Sequence, residues 1–213
     1  MRDIQIKVCG MRDPSNIAEV VKLNPHYLGF ILCSDSPRFV SMDEAFNLLK
    51  NIPISIKKTG VLVDEPFEDA VRIAQSGIFD LLQLHGNESS EYCKKLSAYT
   101  GIIKAFSIAK SLPQNLSDFQ PYCKMFLFDT AGENHGGTGK MFDHTVLNYY
   151  SENTDYILGG GITPADPDYI KSIRSDKMAG IDLNSRFEVR PGIKDISLLK
   201  NFIKEIRNHD DND

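Results

Sequence analysis

The chain has 213 residues, of which 41% are hydrophobic and 25% charged, with a formal net charge of -5. These values suit one soluble domain with a sizeable core and argue against a generic nucleic-acid binder, which carries a basic excess. No apolar run approaches the roughly 18 residues that would span a membrane, and the opening MRDIQIKVCG places charges where a secretory signal has its apolar core. A cytoplasmic location is the expectation, with no nucleic-acid and no membrane partner.

Short apolar runs alternate with capped amphipathic segments along the whole chain. Strands are predicted at residues 4–9, 27–32, 58–63, 81–85, 102–108, 125–129, 156–159 and 178–184. Asp13-Pro14 gives an N-cap followed by proline, and Ile17, Val20 and Val21 continue it as a helical stripe. Ser41 and Glu44 have capping-box spacing ahead of Ala45, Leu48 and Leu49. Pro66 opens a third helix and Gly77 closes it. The fifth connection, KSLPQNLSDFQPYC, carries two prolines and weak periodicity, so a degenerate helix or loop is expected there. Thr163-Pro164 is read as the start of the seventh helix, and Asp195 as the cap of the last.

Eight strand–helix repeats without a linker predict a single-domain (β/α)8 barrel over residues 1–207, followed by a polar tail at 208–213. The rival is an open doubly wound sheet. Its glycine fingerprint would follow the first strand, whereas the glycine-rich turns here come late.

In a barrel, chemistry sits at the C-terminal ends of the strands. Alternation puts Gln5, Lys7 and Cys9 on one face of the first strand and Ile4, Ile6 and Val8 on the other. The apolar face suits the helices, so Cys9 is expected at the inward lip with Lys7 one layer below. A neighbouring ammonium would favour the thiolate. Taken alone, a free cysteine is more often a small buried hydrophobe, and Cys93 and Cys123 are read that way. Cys33 ends another strand with nothing beside it that argues for a role. None of the four cysteines forms a C-x-x-C pair and no His cluster has zinc spacing, so no metal site is expected.

Other strand ends supply further candidates. Asp129 closes MFLFD and reads either as a turn cap or as a general acid or base. Gln83 and His85 share a face at the end of the fourth strand. The glycines of HGGTG, residues 135–139, and of GGG, residues 159–161, would let backbone N–H groups approach an anion. Arg38 could grip a carboxylate bidentately, or it could be a solvated surface charge.

The motifs KVCG, SPRFV, LQLHG, LFDT with GGTGKMFD, LGGGI and GIDLNSRFE with PGIKD occur in that order. Together they resemble the N-(5'-phosphoribosyl)anthranilate isomerase family of tryptophan biosynthesis over nearly the whole chain. The resemblance implies a barrel fold, an Amadori rearrangement of phosphoribosylanthranilate to the corresponding 1-deoxyribulose 5-phosphate, no metal or organic cofactor, and a monomer. It implies Asp129 as general acid and Cys9 as general base. Lys7, Arg38, Gln83, His85 and Asp182 would contact the substrate. Gly137, Thr138, Gly139, Gly160, Gly161, Asn184 and Ser185 would hold its phosphate. Asn184-Ser185-Arg186-Phe187 departs from the small residues and glycine of many relatives, which bears on the phosphate site.

Competing readings differ at particular positions. Indole-glycerol-phosphate synthase would need a catalytic lysine and glutamate at strand ends. A histidine-pathway isomerase would need an aspartate where Cys9 stands. A ligand-binding barrel without activity would be free to lose Cys9 and Asp129, and a Schiff-base enzyme on Lys7 would need that lysine one layer higher.

Overall fold

A computed structural model describes residues 3–130 and 143–207. Eight parallel strands close into one barrel in sequence order: β1 (Gln5–Val8), β2 (Tyr27–Ile31), β3 (Lys57–Leu62), β4 (Leu81–Leu84), β5 (Gly101–Ile108), β6 (Met125–Thr130), β7 (Tyr156–Leu158) and β8 (Met178–Leu183). Closure is made by β1 against β8, with Lys7 opposite Asp182. The helices are α1 (Pro14–Val21), α2 (Met42–Leu49), α3 (Phe67–Gln75), α4 (Ser90–Leu96), α5 (Pro167–Ser172) and α6 (Ile196–Arg207). A short hairpin, β9 (Glu188–Arg190) with β10 (Ile193–Lys194), follows β8.

Local chemistry explains most boundaries. The Asn16 N–H donates to Asp13 Oδ1 at 2.8 Å, so Asp13 caps α1 with Pro14 in the first turn. Ser41 and Glu44 form a reciprocal capping box on α2. Asp195 accepts from the Leu198 N–H at 3.0 Å ahead of α6. Each such cap stabilises its helix by about 1 kcal/mol.

Two connections differ from the reading of the sequence. The seventh helix begins at Pro167, not Pro164. Thr163 and Asp166 close a turn instead, with the Thr163 N–H and hydroxyl both donating to Asp166 Oδ2 at 2.6 and 2.8 Å. The sixth connection, in its described part, is a 3-10 segment (His144–Tyr149) and not an α-helix. The fifth has only a 3-10 turn (Leu116–Asp118), in line with its prolines.

Strand alternation divides the core. Ile6, Val8, Leu28, Phe30, Leu82, Leu84, Ile181 and Leu183 face outward into a continuous layer beneath the helices. Ile103, Ala105, Leu127 and Ile157 form a separate cluster inside the barrel. Fully burying one such side chain stabilises the fold by about 1.5–3 kcal/mol. Around β5–β7, rings occupy the layer that α-helices fill elsewhere. Phe106 meets Phe119 and Phe126 edge-on, and Phe128 packs on Tyr150 and Tyr156 with centroids 5.4 and 5.2 Å away.

Candidate active site

The inward face of β1 carries the expected polar ladder. Lys7 is fully buried, and Cys9, just beyond the strand, is 3% exposed. The Cys9 N–H donates to the Leu183 carbonyl at 2.9 Å, which ties the residue to β8. Lys7 Nζ donates to both oxygens of Asp182 at 3.0 and 3.1 Å and lies within hydrogen-bonding reach of the Cys9 thiol. Gly29 on β2 makes the space for this arrangement. A Cβ at that position would stand 2.7 Å from Cys9 Sγ and 3.2 Å from Lys7 Nζ.

The electrostatics at Cys9 are balanced differently from the simplest expectation. Burial pushes the thiol above its ordinary pKa, and the negative charge of Asp182 adds to that push. The ammonium groups of Lys7 and Lys194 oppose it without overcoming it. Lys7 therefore does favour the thiolate, as its position suggests, but the resting group is a thiol. Burial alone would lower Lys7; the Asp182 carboxylate, by its charge and its hydrogen bonds, leads the influences that outweigh burial, so Lys7 is raised and stays an ammonium. Burial also lifts Asp182, while Lys7 pulls it down and Asp129 pushes it up. Asp182 thus lies within electrostatic reach of both Lys7 and Asp129.

Across the mouth, Asp129 sits at the end of β6. Its Oδ1 accepts from the Thr130 N–H at 2.7 Å, and its Oδ2 lies 3.2 Å from His85 Nε2. His85 Nδ1 lies 2.7 Å from the side-chain amide of Gln83, which is almost wholly buried. With the amide nitrogen as donor at Nδ1, a neutral imidazole carries its proton on Nε2, the nitrogen nearer Asp129. Gln83 is to His85 what Lys7 is to Cys9, a buried polar group one layer beneath a group at the lip.

The described anion-binding candidates fall on the loops after β7 and β8. Gly160 and Gly161 both have positive φ, 78° and 77°. A Cβ at Gly160 would stand 2.5 Å from Thr130 Oγ1 and 2.7 Å from Asp129 Oδ1, so only glycine lets this loop close on the end of β6. Asn184 leaves β8 and accepts from Lys194 Nζ at 2.8 Å, and Ser185 is exposed on the 3-10 turn that follows (Ser185–Phe187). Gly137, Thr138 and Gly139 lie outside the described residues.

Arg38 is anchored by a carboxylate of the chain itself. Its Nε donates to Glu188 at 2.9 and 3.1 Å and its Nη2 at 2.6 Å, across 150 residues of sequence. Burial raises Glu188, but the Arg38 hydrogen bonds and the Lys194 charge hold it below the usual glutamate range. Glu188 and Lys194 were not among the candidates drawn from the sequence. The only trace of Lys194 was its place in the PGIKD motif. Among the described residues no group of three or more His, Cys, Asp or Glu converges to hold a metal ion.

Another concavity, of about 420 Å³, opens at the opposite end of the barrel among Gln5, Tyr27, Lys57, Asp80 and Lys124. No thiol or histidine lines it. Among the described residues, a thiol, a carboxyl–imidazole pair and an arginine gather only at the C-terminal mouth, which is the better candidate for chemistry.

Comparisons with known proteins find relatives over nearly the whole chain. A profile of the family described as N-(5'phosphoribosyl)anthranilate (PRA) isomerase matches residues 6–205. The chain is 44% identical over 205 residues to the N-(5'-phosphoribosyl)anthranilate isomerase of Parabacteroides distasonis, covering 94% of this chain and 92% of that one. It is 37% identical to that of Phocaeicola vulgatus, covering 95% and 97%. The phosphoribosyl anthranilate isomerase structure from Thermotoga maritima superposes with a TM-score of 0.82 at 27% identity, covering 95% of this chain and 98% of that one. A phosphoribosyl anthranilate isomerase in complex with reduced 1-(o-carboxyphenylamino)-1-deoxyribulose 5-phosphate superposes at 0.79 with 25% identity and the same coverage. A further structure is of monomers generated from the dimeric T. maritima enzyme.

Proposed function

The chain belongs to the N-(5'-phosphoribosyl)anthranilate isomerase family, and from that premise we propose how its residues divide the reaction. It is an isomerase of tryptophan biosynthesis, and its reaction is the Amadori rearrangement of the family. Asp129 is the general acid. It gives its proton to the furanose ring oxygen as the C1'–O bond breaks and the anthranilate nitrogen lone pair forms a Schiff base. Cys9 is the general base and takes the C2' proton. The electron pair of that C–H bond moves into the conjugated iminium, giving an enolamine that tautomerises to the product ketone.

The observation that carries this division is the placement of two groups on separate strands around one mouth. Cys9 stands over the Lys7–Asp182 pair and Asp129 beside His85, and Asp182 feels both. A thiol cannot itself take a proton, so the base form is the thiolate, reached as the thiol gives its own proton to solvent before the C2' proton moves. A cationic Schiff base next to it favours the thiolate at the moment the proton must move. Thr130 N–H and His85 Nε2–H then take up the charge left on Asp129.

Arg38 holds the anthranilate carboxylate. Glu188 occupies its Nε–Nη2 edge and leaves Nη1 toward the ligand. Asp182 contacts the substrate beside Lys7, with His85 and Gln83 on the opposite wall. Gly160, Gly161, Asn184 and Ser185 hold the phosphate together with Gly137, Thr138 and Gly139 of the preceding loop. The protein works as a monomer in the cytoplasm. Among the described residues, the exposed large apolar side chains Phe46, Ile54, Tyr99, Tyr149, Tyr169, Val189 and Leu198 are spread over many segments, and no helix is long and apolar enough to cross a membrane. Light scattering that returns twice the chain mass would overturn the monomer.

The test generates phosphoribosylanthranilate in situ from anthranilate and phosphoribosyl pyrophosphate and follows its fluorescence with chelator present. Cys9→Ser and Asp129→Asn should each lower kcat by roughly 10²–10⁴-fold, the usual worth of a positioned acid or base, with the circular dichroism spectrum unchanged. Full activity in either variant removes that residue from its role.

A further inference from the structure

Behind the mouth, two side chains converge on one lysine that the proposed reaction does not use. Lys194 is on β10, and its side chain is fully buried. Its Nζ donates to Asn184 Oδ1 at 2.8 Å and to Glu188 Oε1 at 2.8 Å. Glu188 in turn holds Arg38 by its guanidinium edge. One ammonium therefore braces both the residue at the phosphate end and the residue at the carboxylate end.

The lysine is itself clamped. The side-chain amide of Asn16, on α1, donates to the Lys194 carbonyl at 2.9 Å and accepts from the Lys194 N–H at 2.8 Å. Gly10 leaves room for the assembly to pass beneath the thiol loop. A Cβ there would stand 2.6 Å from Arg38 Cδ and 2.8 Å from Asn184 Oδ1. A buried ammonium is costly unless it is paired and hydrogen-bonded. Its retention here, held at both backbone and side chain, fits a positional duty.

We infer that Lys194 is a positioning residue, which sets Arg38 (through Glu188) and Asn184 at a fixed separation and presents a second positive charge to Cys9. The inference rests on the residue roles proposed above. The groups facing Cys9 are Lys7 from β1, Asp182 from β8 and Lys194 from β10. Those facing Lys194 are Glu188, Cys9 and Arg38. Burial and the nearby Arg38 charge leave Lys194 below the ordinary lysine range, and Glu188 is the main group that opposes them.

The deciding variant is Lys194→Met, which keeps the length of the side chain and removes charge and donors. KM should rise by about tenfold, since misplacement of binding groups by an ångström costs on that order or more. The ascending limb of kcat/KM against pH should move to higher pH, because the thiol loses one of the two cations that favour its ionised form. A lowered melting temperature with KM and the limb both at wild-type positions would overturn the inference. Cys9→Ser is measured in parallel. An inactive Cys9→Ser beside an unmoved Lys194→Met defeats this inference alone, whereas a fully active Cys9→Ser defeats the assignment of the base beneath it. Where Lys194→Met shows no cooperative melt, Asn16→Ala carries the test. It loosens the lysine without deleting a charge and should raise KM several-fold with kcat held; an unchanged KM overturns the inference.

Discussion

The two mouths of the barrel use charge in opposite ways. At the N-terminal mouth, Asp80 meets Lys57 at 3.6 Å and Lys58 at 3.3 Å, with half of the Lys57 side chain in solvent. At the C-terminal mouth, Lys7 and Lys194 are fully buried and each faces a carboxylate at about hydrogen-bond length. Charge screened by water is replaceable; charge held away from water is specified atom by atom, because a lost partner leaves the other ion stranded. The first mouth leaves its charges partly in water, while the second fixes its charges against buried partners.

The contrast can be broken by experiment. Beyond the acid and base variants, the largest effect is expected from Gly29→Ala. The added methyl would need to occupy space 2.7 Å from Cys9 Sγ, so the thiol must move. Overpacking of this kind costs roughly 1–3 kcal/mol of stability, and kcat/KM should drop on the order of 10–100-fold through misplacement. Wild-type turnover in this variant would show that the thiol has no strict position.

Glu188→Gln sharpens the contrast through pH. The folded protein holds Glu188 below its ordinary value. Its stabilising contribution is therefore complete above the unfolded glutamate value of about 4.3 and disappears as pH falls through the lower folded value. The variant should melt below wild type at neutral pH, with the gap closing as the pH drops below about 4. A gap that stays constant down to pH 2 would mean that the Glu188 charge is not what the variant loses.

The smallest effect belongs to the other mouth. Lys57→Met breaks a bridge to Asp80 that is exposed on the lysine side, worth about 0–1 kcal/mol, and should leave kcat/KM unchanged. A several-fold fall in kcat/KM would show that the two ends communicate through the barrel interior.

The legible part of this molecule was local. The Gln5, Lys7 and Cys9 ladder follows from a period of two, and the caps at Asp13, Ser41 and Asp195 follow from single residues next to their helices. The seventh helix was misplaced because Thr163-Pro164 and Asp166-Pro167 are both cap-and-proline pairs, and the choice between them lies in the turn that Thr163 and Asp166 make together. The partner of Arg38 was illegible for another reason. A guanidinium accepts any carboxylate in range, and Glu188 comes into range only after eight strands have closed. Lys194 was hidden likewise, because nothing in PGIKD says that this lysine points inward.

The rings that stand in for helices around β5–β7 have a consequence for how the protein fails under heat. Asp129 is carried by β6, whose outward rings Phe126 and Phe128 pack on Phe106, Tyr150 and Tyr156, while Cys9 follows β1 and leads into α1, whose Ile17 and Val20 belong to the same buried outer layer as Ile6 and Val8. A helix holds its backbone through its own hydrogen bonds, whereas a cluster of rings holds only through contact and loosens by rotation of its members. The acid side should therefore soften first, and catalysis should be lost on warming some degrees before the barrel as a whole comes apart.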